Sequence, residues 1–493
     1  MRRSLTVLAC VVALVAASCG GGGGGDGGIL GGGKERSGKE SKEGSVGEAS
    51  RSAEEEAAEA EAEPVTYQEA IELTVQDLEV YWTDQLPEVY GIGYEEIAEV
   101  IPYDSTTDFT DLGECFEGAA YEDVAENAFY CSLDDVVAYD DETLFPRFYE
   151  EFGAFAIALA LAHEWGHAIQ ARVAYEAPTV LSETQADCFA GTWASHVDAG
   201  RSDLLSLDPG DLEIGLTGLL EVRDPIGTDP TEEGAHGSGF DRVGAFQEGF
   251  NSGVERCKDW DVNPPQITEI PFTDEIDLAN EGNLPLDGPG GDPDDAFDVA
   301  VEDLDLYWSQ FEELSPYETV SDVIPYDSSD RDSLPPCESL DLRPRNRDAY
   351  ADSVFYCADD DFIAYEESLF ETVHEDIGDG AIILLLSNAW ASAMQARLGI
   401  EGEGLGLQAD CFSGSYTGSI PIDEITAANG TATSREANLQ LSPGDLDEVV
   451  QGFLLFGDPP EAEEASRGTA FDRLDAFRNG FLNAEAVCLE MVG

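Results

Sequence analysis

Five short segments of this 493-residue chain occur twice, in the same order. Val100-Ile101-Pro102-Tyr103-Asp104-Ser105 returns as Val323 to Ser328, and Phe129-Tyr130-Cys131 as Phe355-Tyr356-Cys357. Gln185-Ala186-Asp187-Cys188-Phe189 returns as Gln408 to Phe412, Pro209-Gly210-Asp211-Leu212 as Pro443 to Leu446, and Phe240-Asp241-Arg242 as Phe471 to Arg473. The offset drifts only between 223 and 234 residues, far too long a period for a solenoid and right for two tandem domains. The repeat places them at 65–262 and 295–493, joined by a Pro/Gly/Asp-rich linker over 263–294.

Both copies share one pattern. An amphipathic helix opens each, with Ile71, Val75, Leu78 and Trp82 at helical spacing, matched by Phe297, Val301, Leu304 and Trp308. A short extended segment follows, Val136–Tyr139 and Phe362–Tyr365. A long apolar helix comes next, about 148–175 and 369–398, and further helices start after Pro209 and at about Phe240. The expected class is α+β, mostly helical.

Acidic residues number 104 against 23 basic ones, a net charge of −81. Such a surface repels a phosphate backbone, which excludes a nucleic-acid binder, and cannot dock on anionic lipid through basic patches. The acid coats both copies, and Lys occurs only at 34, 39, 42 and 258. That balance fits a protein from a salty medium, where screening at 1 M salt shortens repulsion to about 3 Å; a moderately acidic secreted protein is the alternative.

Met1-Arg2-Arg3, an apolar run from Leu5 to Ala17, and Ser18-Cys19 read as an export signal over 1–19. Ala16-Ala17-Ser18-Cys19 is similar to a bacterial lipobox, which makes Cys19 the expected lipidation site; a plain secretory signal is the alternative. Residues 20–64, rich in Gly, then Glu and Ala, make a disordered tether. Beyond Cys10 and Cys19, four cysteines fall in each copy: Cys115, Cys131, Cys188 and Cys257, matched by Cys337, Cys357, Cys411 and Cys488. Even counts in an exported chain indicate disulfides. Of the three pairings open to four cysteines, proximity favours 115–131 with 188–257.

The chemistry concentrates in His163-Glu164-Trp165-Gly166-His167. Residues four apart share a helix face, so two imidazoles can grip one metal ion while Glu164 sits beside the open coordination position as general base. A catalytic zinc needs a third protein ligand. Glu183 supplies a candidate 16 residues past His167, and Asp187, four further on, can accept the free ring N–H of a ligand histidine.

HExxH followed by ExxxD is the arrangement of the Glu-zincin metallopeptidases. The wording is closer to a bacterial neutral zinc metallopeptidase family, which it resembles at Phe129-Tyr130-Cys131, His163 to Gln170, Glu183 to Gly191 and His236-Gly237-Ser238 to Arg242. Asp241 departs from that family's usual Gln. The resemblance implies a zincin-like domain duplicated in tandem, with His163, His167 and Glu183 on zinc, Glu164 as general base, and a peptide or protein as substrate. In the second copy His163, Glu164, His167 and Glu183 align with Asn388, Ala389, Ser392 and Gly406, so that copy is expected to be catalytically dead.

His236, aligned with Arg467, is a candidate to stabilise an oxyanion, with a plain loop histidine as the alternative. His196 and His374 carry no expected role. The stretch Val136–Tyr139 is read as the edge strand of the cleft, where a peptide could add as a further strand, although its persistence in the second copy also suits a purely architectural role. Together these features describe an exported, lipid-anchored or secreted zinc metallopeptidase; the rival is a non-catalytic binding protein built from two metallopeptidase-like domains.

Overall fold

The computed structural model describes residues 65–491 apart from 233, 273–274, 287–294, 312–315, 339–346, 422–438 and 458–466. The signal, the tether and Cys19 lie outside the described residues. Tyr67–Gly493 forms one unit. The architecture is mostly helical α+β, as the pattern predicts.

In the first half α1 (Tyr67–Tyr90) precedes a small sheet of β1 (Glu99–Tyr103), β2 (Ala128–Cys131) and β3 (Val136–Asp140). Helices α2 (Leu144–Val173), α3 (Thr179–Asp198), α4 (Asp211–Glu221), α5 (Gly239–Ser252) and α6 (Val254–Asp259) follow. Ile71, Leu78 and Trp82 of α1 are buried at the expected spacing, and Asp77 on the same face accepts from Trp193 Nε1 of α3 at 2.7 Å.

The sheet corrects one expectation. Its order is β1-β3-β2, with β1 parallel and β2 antiparallel to β3. Val136–Tyr139 therefore lies in the central strand, not at an edge. All five residues of β3 are buried, as a near-continuous apolar strand requires when both edges are paired and both faces covered. The edge facing α2 is β2.

A second correction concerns the long helix. Gly153 (φ 78°, ψ −168°) interrupts α2, a conformation closed to side chains with a Cβ, so the helix carrying His163 begins afresh at Ala154. In the second half the break is complete at Gly378 (φ 142°), separating α8 (Glu367–Asp376) from α9 (Asp379–Leu398).

The second half otherwise repeats the order. It runs α7 (Ala296–Trp308), β4 (Asp322–Tyr326), β5 (Val354–Cys357), β6 (Phe362–Glu366), α8, α9, α10 (Leu405–Ser419), α11 (Asp445–Phe456), α12 (Ala470–Asn483) and α13 (Glu485–Leu489), with sheet order β4-β6-β5. Disulfides join Cys115–Cys131, Cys188–Cys257, Cys337–Cys357 and Cys411–Cys488, the pairing proximity favours. Among the described residues no helix is long and apolar enough to cross a membrane.

The halves meet through α5 and α12 in a self-complementary way. Gln247 Nε2 donates to the Phe471 carbonyl at 2.9 Å, and its counterpart Arg478 donates through Nη1 to the Phe240 carbonyl at 2.8 Å. Phe240 stacks edge-on against Phe481 with centroids 5.2 Å apart, and Phe471 against Phe250 at 5.0 Å. Each contact has its mate, as at the two-fold interface of a homodimer. Asp447 of α11 adds a one-sided clamp, accepting from the Phe240 amide at 2.9 Å and forming an ion pair with Arg223, whose Nε is 2.9 Å from its Oδ2.

This interface predicts that residues 65–262 alone will not behave as a simple monomer. With the Phe240, Phe246 and Phe250 face bared, the fragment should self-associate through α5 or lose stability. Light scattering after gel filtration, with thermal melting, checks this; a monomer as stable as the full chain contradicts it.

Candidate metal centre

The renewed helix after Gly153 sets His163, buried, and His167, partly buried, one turn apart on a single face. Gly166 between them permits α3 to come close, since a Cβ there would stand 2.7 Å from the Ala186 Cα. Across this close contact α3 presents Glu183 and Asp187.

Three candidate ligand atoms converge. His163 Nε2 and His167 Nε2 are 3.1 Å apart, and Glu183 Oε2 lies 3.3 Å from the first and 3.4 Å from the second. Ligands at about 2.0–2.1 Å around one tetrahedral ion stand about 3.3–3.4 Å from each other. The triangle thus has the dimensions of a zinc face, and two nitrogens with one carboxylate oxygen are donors zinc accepts.

The surroundings favour a cation there. Burial works against a charged His163, yet Asp187 and Glu183 raise it to about 10. Burial likewise opposes ionised Glu183, but hydrogen bonds to the two imidazoles hold its carboxyl well below the usual range. Glu164 behaves differently: burial pushes it up, and the two imidazoles and the backbone amide of Tyr130 on β2 only partly oppose this. Its Oε2 is buried without a hydrogen-bond partner. Glu164 is therefore a carboxylate with raised proton affinity beside three converging ligand atoms.

A layer behind the ligands holds their orientation. Asp187, 0% exposed, accepts from His163 Nδ1 at 2.7 Å and takes both arms of Arg242, Nε at 2.8 Å and Nη2 at 2.9 Å. Arg242 also donates to the Val222 carbonyl at 2.6 Å. His167 Nδ1 meets Gln170 Oε1 at 3.0 Å, and Gln170 Nε2 reaches the Ser182 carbonyl at 2.6 Å. Arg242 as the partner of Asp187 escapes sequence reasoning, although its recurrence as Arg473 beside a recurring Asp410 was an available signal.

His236 is not part of this convergence. Its side chain is 51% exposed, with the ring 3.3 Å from Asp224 Oδ1 and the backbone amide donating to Asp224 Oδ2 at 2.6 Å. The adjacent Gly237 packs on Thr184, which puts the loop beside the first turns of α3. Asp241, where the resembled family has Gln, is buried and accepts from Thr268 Oγ1 at 2.6 Å, so here it fastens the linker.

The second half keeps the frame without the ligands. Arg473 grips Asp410 with two bonds of 2.8 Å, Asn388 Nδ2 donates to Asp410 at 2.7 Å, and Gln395 Nε2 donates to the Leu405 carbonyl as Gln170 does to that of Ser182. A Cβ at Gly406 would come 2.8 Å from the Arg467 Cα, so no side chain can re-enter where Glu183 stands in the first half.

Removing Arg242 strands a buried carboxylate. Arg242→Met should lower stability by about 3–5 kcal/mol; Asp187→Asn should weaken zinc binding about 10–100-fold. Arg473→Met should cost similar stability with no change in zinc affinity. Denaturant unfolding and competitive zinc titration read both effects.

Over 150 residues the chain is 29% identical to the uncharacterized protein YpfJ of Escherichia coli strain K12, covering 25% of this chain and 50% of that protein. Over 151 residues it is 27% identical to the uncharacterized protein Rv2575 of Mycobacterium tuberculosis, covering 25% and 52%. The chain thus spans about half the length of the curated relatives it matches. No family profile and no solved structure matches it.

Proposed function

We propose that this chain is a zinc-dependent metallopeptidase, exported and held at the membrane by a lipid on Cys19, whose first half is a zincin-like catalytic domain and whose second half is its inactive duplicate. The convergence of His163, His167 and Glu183 within 3.1–3.4 Å carries the reading. The four disulfides support an oxidising, extracytoplasmic compartment.

A zinc ion bound by these residues supplies Lewis acidity and lowers the pKa of water by several units. Asp187 keeps His163 in the tautomer that offers Nε2, and Gln170 steadies His167. Glu164, with a free buried oxygen and raised proton affinity, takes the proton of the attacking water and returns it to the leaving amine. Strand β2 carries the Tyr130 amide against Glu164, so this edge is where an extended peptide would lie. His236, on the loop beside α3, keeps the role of hydrogen-bond donor to the oxyanion as part of this proposal, on the strength of the sequence resemblance alone.

Glu164→Gln should retain zinc at one equivalent per chain and lose peptide hydrolysis by about 10²–10⁴-fold. Peptide-library cleavage with metal analysis checks this. Wild-type turnover by that variant would overturn the mechanism, and zinc in two equivalents would overturn the inactivity of the second half.

A further inference from the structure

The second half carries a group of ionisable side chains that the first half lacks. Asp379 opens α9, while Asp445 and Glu448 lie in the first turn of α11. All three are buried, and their carboxylate oxygens lie within 4.8 Å of one another. In the first half Asp445 has a counterpart in Asp211, but Asp379 and Glu448 align with Ala154 and Ile214.

The linker closes over this cluster. Asn283 Oδ1 accepts from the Asp379 amide at 2.9 Å, and the Gly282 carbonyl accepts from Ser442 Oγ at 2.6 Å. His374 Nε2 donates to the Leu284 carbonyl at 2.7 Å. Within the cluster Glu448 Oε2 takes the Gly380 amide at 2.8 Å, and Asp445 takes the Ser442 amide and hydroxyl. Asp379 Oδ1 is buried with no hydrogen-bond partner.

The charge is large for such a place. Two helix N-termini contribute about half a positive charge each, against three carboxylates. Burial pushes Asp379 and Glu448 well above the usual carboxylate range, and the neighbouring acids, Asp445 and Asp447 among them, push Glu448 the same way. A dry set of oxygen donors around an unsatisfied carboxylate oxygen is the environment of a hard cation. Ligands of one calcium ion at about 2.4 Å stand at most about 4.8 Å apart, which the cluster satisfies; magnesium keeps several waters, for which a site buried beneath the linker is poorly suited.

We infer that Asp379, Asp445 and Glu448 form a buried calcium site in the second half, clasping the linker to the start of α9 and α11. Because α11 also carries Asp447, which holds Arg223 and the Phe240 amide, an ion here steadies the contact between the halves. The site is independent of the zinc reading.

The test is thermal melting of the metal-stripped full chain, titrated with calcium chloride at constant ionic strength, beside magnesium and potassium chloride. Calcium at a hundred times its dissociation constant should raise Tm by about 3 °C, magnesium less and potassium not at all. The shift should persist in His163→Ala and vanish in the double variant Asp379→Ala, Glu448→Ile, which carries the first half's residues and should melt, without calcium, at or above the stripped wild type. Glu448→Gln alone should weaken calcium binding at least tenfold. An equal shift in the double variant would mean that calcium acts on the acidic surface. A Tm indifferent to calcium but falling as pH rises would mean that the carboxyls share protons. Either result, or an equal response to magnesium, overturns the assignment.

Discussion

Asp187 and Arg242 form the contact on which the first half depends. A carboxylate with no exposed surface is costly to bury, and it is tolerable here because both oxygens are bonded: two guanidinium N–H groups on one side, an imidazole on the other. The pair ties α3 to α5 and, through Val222, to the end of α4. The same bonds that hold the helices together therefore aim His163. The second half shows the two tasks coming apart. Asp410 and Arg473 keep the helical tie, and Asn388 merely occupies the imidazole's place.

The two halves support one another through a contact with the logic of a homodimer written into one chain. Gln247 and Arg478 stand at equivalent positions and reach equivalent carbonyls, so divergence of the side chains has left the geometry standing. The asymmetric additions, Asp447 on Arg223 and Asp241 on Thr268, fasten the linker and α11 where the symmetric contact does not reach. The half without the candidate ligand residues thus still covers the apolar face of the half that carries them.

Much of the candidate site was legible because helix periodicity is a local rule. His163 and His167 four apart, and Glu183 and Asp187 four apart, must share a face wherever the helices go. Cysteine proximity likewise led to the disulfides, because short loops close most readily. What was not legible depended on contacts between distant segments. Val136–Tyr139 looks the same in sequence whether it is an edge or a centre, and only its pairing with both Glu99–Tyr103 and Ala128–Cys131 settles its place. The break at Gly153 was hidden inside an apolar stretch that periodicity reads as continuous.

The sequence by itself determined the repeated segments, the class of fold, the spacing of the candidate ligand residues and their absence from the second half, since each is a property of residue identity and short-range spacing. Tertiary structure decided which oxygens and nitrogens meet. It brought Arg242 to Asp187 across 55 residues, set the Tyr130 amide beside Glu164, and gathered Asp379, Asp445 and Glu448 beneath the linker from two helix starts. Those meetings follow from how packed helices present their side chains to one another, and no local pattern in the chain encodes that.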